Sequence, residues 1–292
     1  MPARRRDESM ANRNGVDAYR DWVLPGAVDY QGREVRYGRL GDGPPMVLVH
    51  GTPWSSFNLR HLIRSLSENY TVYFYDLLGY GQSSMAEGDV SLGVQNEVLA
   101  RLLDHWGLEN PWVVGHDFGG AAVLRTHLLN GRSFRKIMLI DPVAVSPWGS
   151  PFFRHVNEHQ PAFSGVPDFI HEAIVRTYVQ TAAHKPLDDA TLEGIVRPWT
   201  GEQGQPAFYR QIAQADSRYT DEVQARYPTI TTPTLILWGR EDRWIPLERG
   251  ETLHGLIPSS EFHVVDDAGH LVIEEKPDQL VQHIMRFAGT SP

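Results

Sequence analysis

The chain has 292 residues, of which 41% are apolar and 22% are charged. This length suits one α/β domain that carries an insertion, and this apolar fraction is sufficient for a large buried core. The net charge of −9 argues against a nucleic-acid partner, and the absence of cysteine excludes disulfides, thiolate metal sites and a cysteine nucleophile.

The polar N-terminal segment, residues 1–20, predicts a disordered tail rather than a targeting signal. It contains Arg4, Arg5 and Arg6, but the apolar stretch of a secretory signal does not follow them. No later segment approaches the roughly 18 consecutive apolar residues of a membrane span. We therefore expect a cytoplasmic protein without a membrane partner.

Strands and helices alternate along the first half of the chain. Residues 27–39 alternate in hydropathy around Gln31 and Gly32, as in a β-hairpin. Short apolar runs predict buried parallel strands at 44–50, 71–76, 111–116 and 136–141. Helical periodicity lies between them, at 59–66, 94–106 and 121–129. This alternation indicates βαβ units and a mostly parallel sheet.

The alternation stops between residues 146 and 227, which show no convincing strand pattern. This segment is rich in aromatic residues and has helix-like patterns at 168–180 and 206–215. Strands are predicted again at 232–239 and 261–267, and a last helix at 277–289. We therefore predict a core formed by residues 21–145 and 228–292, with a helical cap, residues 146–227, after the sixth strand. A cap at this place covers the carboxyl ends of the strands, where open α/β sheets bind ligands.

The segment GHDFGG, residues 115–120, follows a predicted strand and precedes a predicted helix. The small residues Gly115 and Gly119 allow a sharp turn, which exposes the central side chain, Asp117, above the sheet. The backbone N–H of Phe118 then lies at the helix N-terminus, where it can bind an oxyanion. The N–H of Thr52, in the loop after the third strand, is the candidate second donor.

A histidine and an acid follow in the last part of the chain. His270 comes just after the last predicted strand, and Asp242 follows the strand before it. The order nucleophile, acid, histidine along the chain is that of hydrolases whose nucleophile lies on a sharp strand-to-helix turn, the nucleophile elbow. Glu241 is the alternative acid. Two further histidines are expected to orient backbone rather than to catalyse, His50 and His116.

Five motifs together, HGTP, YDLLGYGQS, GHDFGG, WGREDRWIP and DDAGH, resemble the α/β-hydrolase superfamily over residues 27–289. The resemblance implies an α/β-hydrolase fold, with a mostly parallel, twisted, eight-stranded sheet flanked by helices and a helical cap inserted after strand six. The aspartate at the elbow is similar to the branch of epoxide hydrolases, haloalkane dehalogenases and fluoroacetate dehalogenases. Some dehalogenases of this branch place the acid after the sixth strand, which makes Asp141 another candidate.

An aspartate at the elbow suits displacement at sp³ carbon rather than attack on a carbonyl group. Attack by Asp117 would form an ester with the substrate. Asp242 would orient His270, which would activate water to hydrolyse that ester. The N–H groups of Thr52 and Phe118 would hold the oxyanion. We expect this reaction to use no cofactor and no metal.

The leaving group separates the two enzymatic interpretations. Dehalogenases of this branch have a tryptophan N–H donor after the nucleophile, where this chain has Phe118. An epoxide oxygen needs a proton, and the segment PAFYRQ resembles the one in which epoxide hydrolases carry a ring-opening tyrosine, here Tyr209. The alternative role for Tyr209 is a packed aromatic side chain on a cap helix. We favour epoxide opening to a vicinal diol, with haloalkane dehalogenation second and a non-catalytic ligand-binding protein third.

Aromatic residues are predicted to line a pocket for a small apolar substrate, aromatic substrates included. The cap tyrosines are alternative proton donors, and the tryptophans offer indole N–H groups. The predicted lining residues are Trp54, Trp148, Phe152, Tyr178, Trp199 and Tyr219, with Phe118, Phe153 and Phe163 beside them. We expect a monomer or a homodimer.

Overall fold

The computed structural model describes residues 19–289. Of the predicted disordered tail, residues 1–18 lie outside this range. Its last two positions are part of the fold, because Tyr19–Asp21 form a short 3-10 helix. The rings of Tyr19 and Trp22 contact Phe57 edge-on, at centroid distances of 5.5 and 6.3 Å. These aromatic contacts place regular structure before residue 21, which corrects the predicted boundary.

One sheet of eight strands lies in the described part of the chain. The strands are β1 (Gly26–Tyr30), β2 (Arg33–Leu40), β3 (Pro45–Val49), β4 (Thr71–Tyr75), β5 (Trp112–His116), β6 (Lys136–Ile140), β7 (Thr234–Gly239) and β8 (Ser260–Val265). Their order across the sheet is β1-β2-β4-β3-β5-β6-β7-β8. β2 is antiparallel to both of its neighbours, and the other pairs are parallel. This confirms the predicted mostly parallel, eight-stranded sheet.

Helices separate the parallel strands in the chain. They are α1 (Arg60–Leu66), α2 (Leu92–Trp106), α3 (Phe118–Leu128), α4 (Pro151–Ser164), α5 (Asp168–Gln180), α6 (Asp189–Val196), α7 (Gly201–Ala213), α8 (Arg218–Gln224), α9 (Leu247–Leu256), α10 (Val272–Glu275) and α11 (Pro277–Ala288). Between residues 19 and 289, none of the helices has both the length and the apolar character that crossing a bilayer requires.

The central strands are apolar runs because both faces of the sheet are covered. Every residue of β5 and β7 is buried, and in β3 and β6 only the first residue is partly exposed. Because β3, β5, β6, β7 and β8 are parallel, their carboxyl ends meet at one edge. The loops that follow these strands therefore converge there.

Five helices, α4 to α8, lie between β6 and β7. We call this segment, residues 146–227, the helical insert; it occupies the chain position predicted for the cap. Trp199 Nε1 donates to the carbonyl oxygen of Pro53 at 2.7 Å, in the loop after β3. Arg210 Nη2 donates to the carbonyl oxygen of Met85 at 2.6 Å, in the segment after β4. The insert thus packs on loops at the carboxyl ends of the strands.

Candidate active site

Asp117 occupies a strained turn between β5 and α3. Its φ of 52° and ψ of −120° lie in a region that non-glycine residues rarely adopt, at a cost of about 1–3 kcal/mol. Two glycines make the turn possible. A Cβ on Gly115 would lie 2.7 Å from Gly119 O, and a Cβ on Gly119 would lie 2.2 Å from Val49 O. The predicted elbow is therefore present, and the strain supports a functional role for its central residue.

The carboxylate of Asp117 is buried and held on both oxygens. Thr52 N donates to Oδ1 at 2.6 Å. Oδ2 lies 3.2 Å from His270 Nε2. Gly51 packs directly against the carboxylate, since a Cβ there would lie 2.2 Å from Oδ1. α3 begins at Phe118, so the N–H of Phe118 is one of the donors that a helix leaves free at its N-terminus.

His270 and Asp242 form the hydrogen-bonded pair that the sequence predicts. His270 Nδ1 donates to Asp242 Oδ2 at 2.8 Å. Asp242 Oδ1 accepts from the backbone N–H groups of Trp244 and Ile245 at 2.8 and 2.9 Å. His270 Nε2 is buried, and no described residue meets it with hydrogen-bond geometry, although Asp117 lies nearby. The acid is thus fixed by the backbone, and in turn it fixes the imidazole with Nε2 directed to the elbow.

The charge of His270 follows from its neighbours. Burial alone would lower the pKa of its imidazole. The carboxylates of Asp242 and Asp117 outweigh this and raise the pKa well above its ordinary value. The raised pKa favours the imidazolium form of His270 beside these two carboxylates. Loss of the charge on Asp117 would lower this pKa and favour the neutral, basic imidazole.

The two alternative acids contact other groups. Glu241 Oε2 accepts from Ala268 N at 2.9 Å. Asp141 follows β6, and its Oδ1 accepts from Gly239 N at 2.9 Å, while its buried Oδ2 has no hydrogen-bond partner in the part of the chain that the structure describes. Burial, followed by the carboxylate of Asp242, raises the pKa of Asp141 well above its usual range. Asp242, not Asp141 or Glu241, is thus the acid bound to His270.

Asp141, Asp242 and His270 have potential metal-ligand atoms within 4.8 Å of one another. The hydrogen bond between His270 Nδ1 and Asp242 Oδ2 already uses two of these groups. The arrangement of the trio is therefore that of an acid–histidine pair with a second carboxyl group, Asp141, behind it, whose pKa is raised by burial and by Asp242.

His50 and His116 have the contacts of backbone-orienting residues. His50 Nδ1 donates to Gly51 O at 2.8 Å, and its Nε2 accepts from Leu77 N at 2.9 Å. His116 Nε2 donates to the carbonyl oxygen of His270 at 2.9 Å. Burial lowers the pKa of His116 to about 4, so it is neutral at pH 7. Both rings thereby position the loops that carry the site.

The tyrosines of the insert are placed differently from one another. The hydroxyl of Tyr209 is bound to His171 Nδ1 at 2.9 Å, and burial alone raises its pKa to about 12. The Tyr219 hydroxyl accepts from Arg218 at 2.7 Å, and its ring packs under Arg125 of α3, 5.1 Å away. Neither contact joins these two tyrosines to Asp117.

Tyr178 is the tyrosine of the helical insert whose hydroxyl pKa is affected by the charge of Asp117. Burial raises the pKa of its hydroxyl, and the negative charge of Asp117 raises it further, while a hydrogen bond with Ser150 opposes the shift. Its ring stacks on Trp244 at 4.4 Å, and Trp244 stacks on His270 at 5.3 Å. Trp244 thus lies against both Tyr178 and His270, and the hydroxyl of Tyr178 interacts electrostatically with Asp117.

Sequence reasoning overlooked Trp244. Its only signal was an aromatic residue two positions after Asp242, within the motif WGREDRWIP. In the structure it lies between Tyr178 and Trp54, stacked on each. Trp244 thus links the insert to the loop after β3 and forms one wall beside His270.

The predicted tryptophans differ in whether their indole N–H groups already donate a hydrogen bond within the protein. Trp148 Nε1 donates to Thr220 Oγ1 at 3.0 Å, and Trp199 Nε1 donates to Pro53 O at 2.7 Å. Trp54 Nε1 is buried and has no hydrogen-bond partner within residues 19–289. Trp148 also packs edge-on against Phe118 at 5.6 Å. Trp54 is therefore the predicted tryptophan whose donor is free.

A cavity of about 1270 Å³ lies beside the stacked rings of Tyr178 and Trp244. Phe152, Ile170 and Ile174 contribute apolar side chains to its lining. Phe152 also contacts Tyr178, with ring centroids 4.7 Å apart. The two predicted pocket residues Phe152 and Tyr178 thus line an apolar space that ends one aromatic layer from His270.

Comparison with known proteins agrees with this fold. The profile of the alpha/beta hydrolase family matches residues 46–283. A solved α/β-hydrolase-fold protein from Burkholderia ambifaria is 46% identical, covers 91% of this chain and 98% of its own, and superposes with a TM-score of 0.89. 2-Hydroxy-6-oxo-2,4-heptadienoate hydrolase of Pseudomonas putida is 30% identical over 88% of this chain and 93% of its own.

Two further solved structures share the fold at lower identity. An epoxide hydrolase is 21% identical, with a TM-score of 0.73, and covers 90% of this chain and 97% of its own. A haloalkane dehalogenase from Agrobacterium tumefaciens is 22% identical, with a TM-score of 0.75, and covers 90% of this chain and 94% of its own. The family match spans most of the sheet and the whole helical insert. The chain therefore belongs to the alpha/beta hydrolase family and is a hydrolase of that fold.

Proposed function

We propose that this hydrolase opens an epoxide to a vicinal diol through an ester formed on Asp117. The observation that carries the proposal is the carboxylate at the elbow, bound by Thr52 N–H on one oxygen and facing His270 on the other. A carboxylate held in this orientation can attack sp³ carbon without a general base. A serine hydroxyl would need one.

In the first step, an oxygen of Asp117 forms a bond to one ring carbon of the epoxide. The bond from that carbon to the ring oxygen breaks, and its electron pair stays on the oxygen. We assign the proton to Tyr178, because the charge of Asp117 raises the pKa of its hydroxyl, which therefore interacts electrostatically with the nucleophile. Esterification removes the charge of Asp117, so His270 loses one of the two carboxylates that raise its pKa. The imidazolium can then return a proton to the tyrosinate.

In the second step, the neutral His270 takes a proton from water, and the water oxygen attacks the ester carbonyl carbon of Asp117. The oxyanion is held by the N–H groups of Thr52 and Phe118. Collapse releases the diol oxygen, which receives the proton from His270. The new Asp117 acid gives its remaining proton to the imidazole, and the resting ion pair is restored. Asp242 keeps the ring oriented throughout through its bond to Nδ1.

The lining of the site supports an apolar substrate. Phe118, Trp148 and Phe153 pack edge-on against one another near the elbow. The cavity lined by Phe152, Tyr178 and Trp244 lies beyond the Tyr178 and Trp244 rings and is a second apolar space. An alkyl or aryl epoxide that presents its ring to Asp117 would pack its hydrocarbon part against Phe118, Trp148 and Phe153.

A haloalkane is the second candidate substrate, and one observation favours it. The buried Trp54 Nε1 has no partner, and the Trp54 ring lies 6.4 Å from the ring of His270. An indole N–H of this kind can bind a departing halide. Trp148 and Trp199 are less suited, because each already donates its N–H to the protein.

A substrate comparison tests the proposal. The purified protein is incubated separately with styrene oxide and with 1-bromobutane, and diol and bromide are measured. We expect diol formation and slower or no bromide release. A single turnover with the epoxide in ¹⁸O-water should give an unlabelled diol and one ¹⁸O atom in Asp117. Bromide release without diol formation would exclude the epoxide proposal in favour of dehalogenation, and a labelled diol would exclude the ester.

A further inference from the structure

Gln211 is a buried polar residue on α7 that the steps above do not use. Only 2% of its surface is exposed. Its Oε1 accepts from Thr52 Oγ1 at 2.8 Å and from the Tyr80 hydroxyl at 3.0 Å. Its Nε2 is buried and has no hydrogen-bond partner among the described residues. The amide therefore has a fully used acceptor and an unused donor.

Both groups bound to Gln211 adjoin the nucleophile. Thr52 presents its backbone N–H to Asp117 Oδ1 at 2.6 Å while its side chain contacts Gln211. Burial raises the pKa of Tyr80, and the carboxylate of Asp117 raises it further, so the Tyr80 hydroxyl also lies within the field of Asp117. The amide of Gln211 is thereby fixed beside the elbow on the side of the helical insert.

An unused amide donor is costly at this place. Buried N–H groups nearly always have partners, because a donor removed from water without one destabilises the fold. The neighbouring residues Ala207, Phe208 and Ile212 of α7 are buried and offer apolar side chains. A leucine or methionine at position 211 would satisfy packing at lower cost. A donor kept in such a place is expected to bind a group that arrives with the substrate.

We propose that Gln211 is a substrate-binding residue whose Nε2 donates a hydrogen bond to the oxygen that leaves the attacked carbon. This inference rests on the proposed epoxide opening, in which Tyr178 gives the proton and Gln211 stabilises the same oxygen as its negative charge develops. The two hydroxyls on Oε1 keep the amide in the orientation that turns Nε2 away from them. The residue is thus oriented before the substrate binds.

The test measures ester formation on Asp117 in a His270→Gln background, where the ester accumulates. The rate with styrene oxide is compared between this parent and three variants that also carry Gln211→Met, Gln211→Glu or Gln205→Met. Gln211→Met removes donor and acceptor, and Gln211→Glu keeps the acceptor for Thr52 and Tyr80 but removes the amide donor. Gln205→Met is the matched control, because it removes a buried amide of the same helix, α7, whose Nε2 donates to Val166 O.

We expect both Gln211 variants to slow esterification about tenfold or more and the control to change it less than about threefold, with melting temperatures within a few degrees of the parent. An unchanged rate in Gln211→Met would overturn the inference. So would a normal rate in Gln211→Glu, or equal slowing by Gln205→Met, since either result means that the loss of the Nε2 donor is not what slows ester formation. If the parent itself forms no ester with the epoxide, the proposed function fails rather than the role of Gln211.

Discussion

His270 Nε2 lies 3.2 Å from Asp117 Oδ2, yet the two atoms do not form an aligned hydrogen bond. The pair is therefore held by charge, while the Nε2 position stays open to a third atom. A water molecule bound there could reach the carbonyl carbon of an ester on Asp117. His270 can therefore take part both in the formation of the ester on Asp117 and in its hydrolysis.

The ion pair gives a prediction for the titration of His270. Asp117→Asn removes one of the two carboxylates that raise the pKa of His270, so this pKa should fall while Asp242 keeps it from falling fully. NMR of protein labelled with ¹³C at histidine Cε1 measures the change directly. Turnover should also be lost, because an amide is not a nucleophile. An unchanged His270 titration would contradict the pairing; residual activity counts only after mass spectrometry excludes deamidation to aspartate.

The proton donor can be tested with two tyrosines. Tyr178→Phe should slow epoxide opening about 10²-fold, the usual contribution of a general acid, because the charge of Asp117 raises the pKa of this hydroxyl and not that of Tyr209. Tyr209→Phe removes a hydroxyl bound to His171 instead, and we expect less than about a threefold change. Pre-steady-state rates of ester formation distinguish the two. The reverse ranking would restore Tyr209 to the role that the sequence suggested.

Asp141 gives a prediction with a defined pH dependence. Its pKa is raised in the folded state by burial and by Asp242, so folding favours its protonated form. The stability that this carboxyl contributes is complete below its unfolded pKa and is lost as the pH rises towards its folded value. Asp141→Asn has no ionisable group at this position, so its stability does not fall at high pH for this reason. The variant should therefore gain melting temperature relative to the wild type at pH 8 but not at pH 4.

Activity measurements separate Asp141 from Asp242. Asp141→Asn keeps a neutral group behind the acid, so turnover should fall only a fewfold, whereas Asp242→Asn should cost roughly 10²-fold or more because the imidazole loses its orientation. Melting curves from pH 4 to 8 and steady-state rates make the comparison. Equal losses in the two variants would mean that Asp141 shares the role of the acid.

A substitution at Gly51 tests how closely the loop after β3 packs against the carboxylate of Asp117. A methyl group there would lie 2.2 Å from Asp117 Oδ1, so Gly51→Ala should displace the carboxylate and lower kcat by about 10²-fold. Gly255→Ala is the matched control, since a Cβ at this helical site meets no atom within 4 Å and should stabilise the protein by about 0.5–1 kcal/mol. The kcat and the free energy of unfolding in denaturant are measured for both variants. Normal kcat in Gly51→Ala would contradict the close fit.

The sequence predicted the parallel strands because each is a short apolar run buried on both faces. It also predicted Asp117, Asp242 and His270 as partners, since the loops after parallel strands meet at one edge. The triad geometry agrees with that prediction: Asp242 binds His270, and His270 faces Asp117. The strands and the order of the three site residues can be read from the sequence, because they depend only on local hydropathy patterns and on position along the chain.

The residues of the helical insert were harder to predict for a physical reason. Helical periodicity places Tyr209 on a buried face, but it does not say whether that face meets the nucleophile or His171. The same limit applies to Tyr219, whose ring packs on α3 through Arg125. Trp244 acquires its place only when Tyr178 and Trp54 stack on it. Such contacts arise from the packing of distant segments, which periodicity does not encode.

Ester formation on Asp117 is the central claim, and His270→Gln tests it most directly. This variant should still undergo alkylation but hydrolyse the ester slowly, because the base is missing. It is exposed to styrene oxide, and separately to 1-bromobutane, and the intact mass and peptide map are recorded. We predict a stable adduct of the epoxide on Asp117. Adduct formation from the bromide alone, or no adduct on Asp117 from the epoxide, would contradict the account.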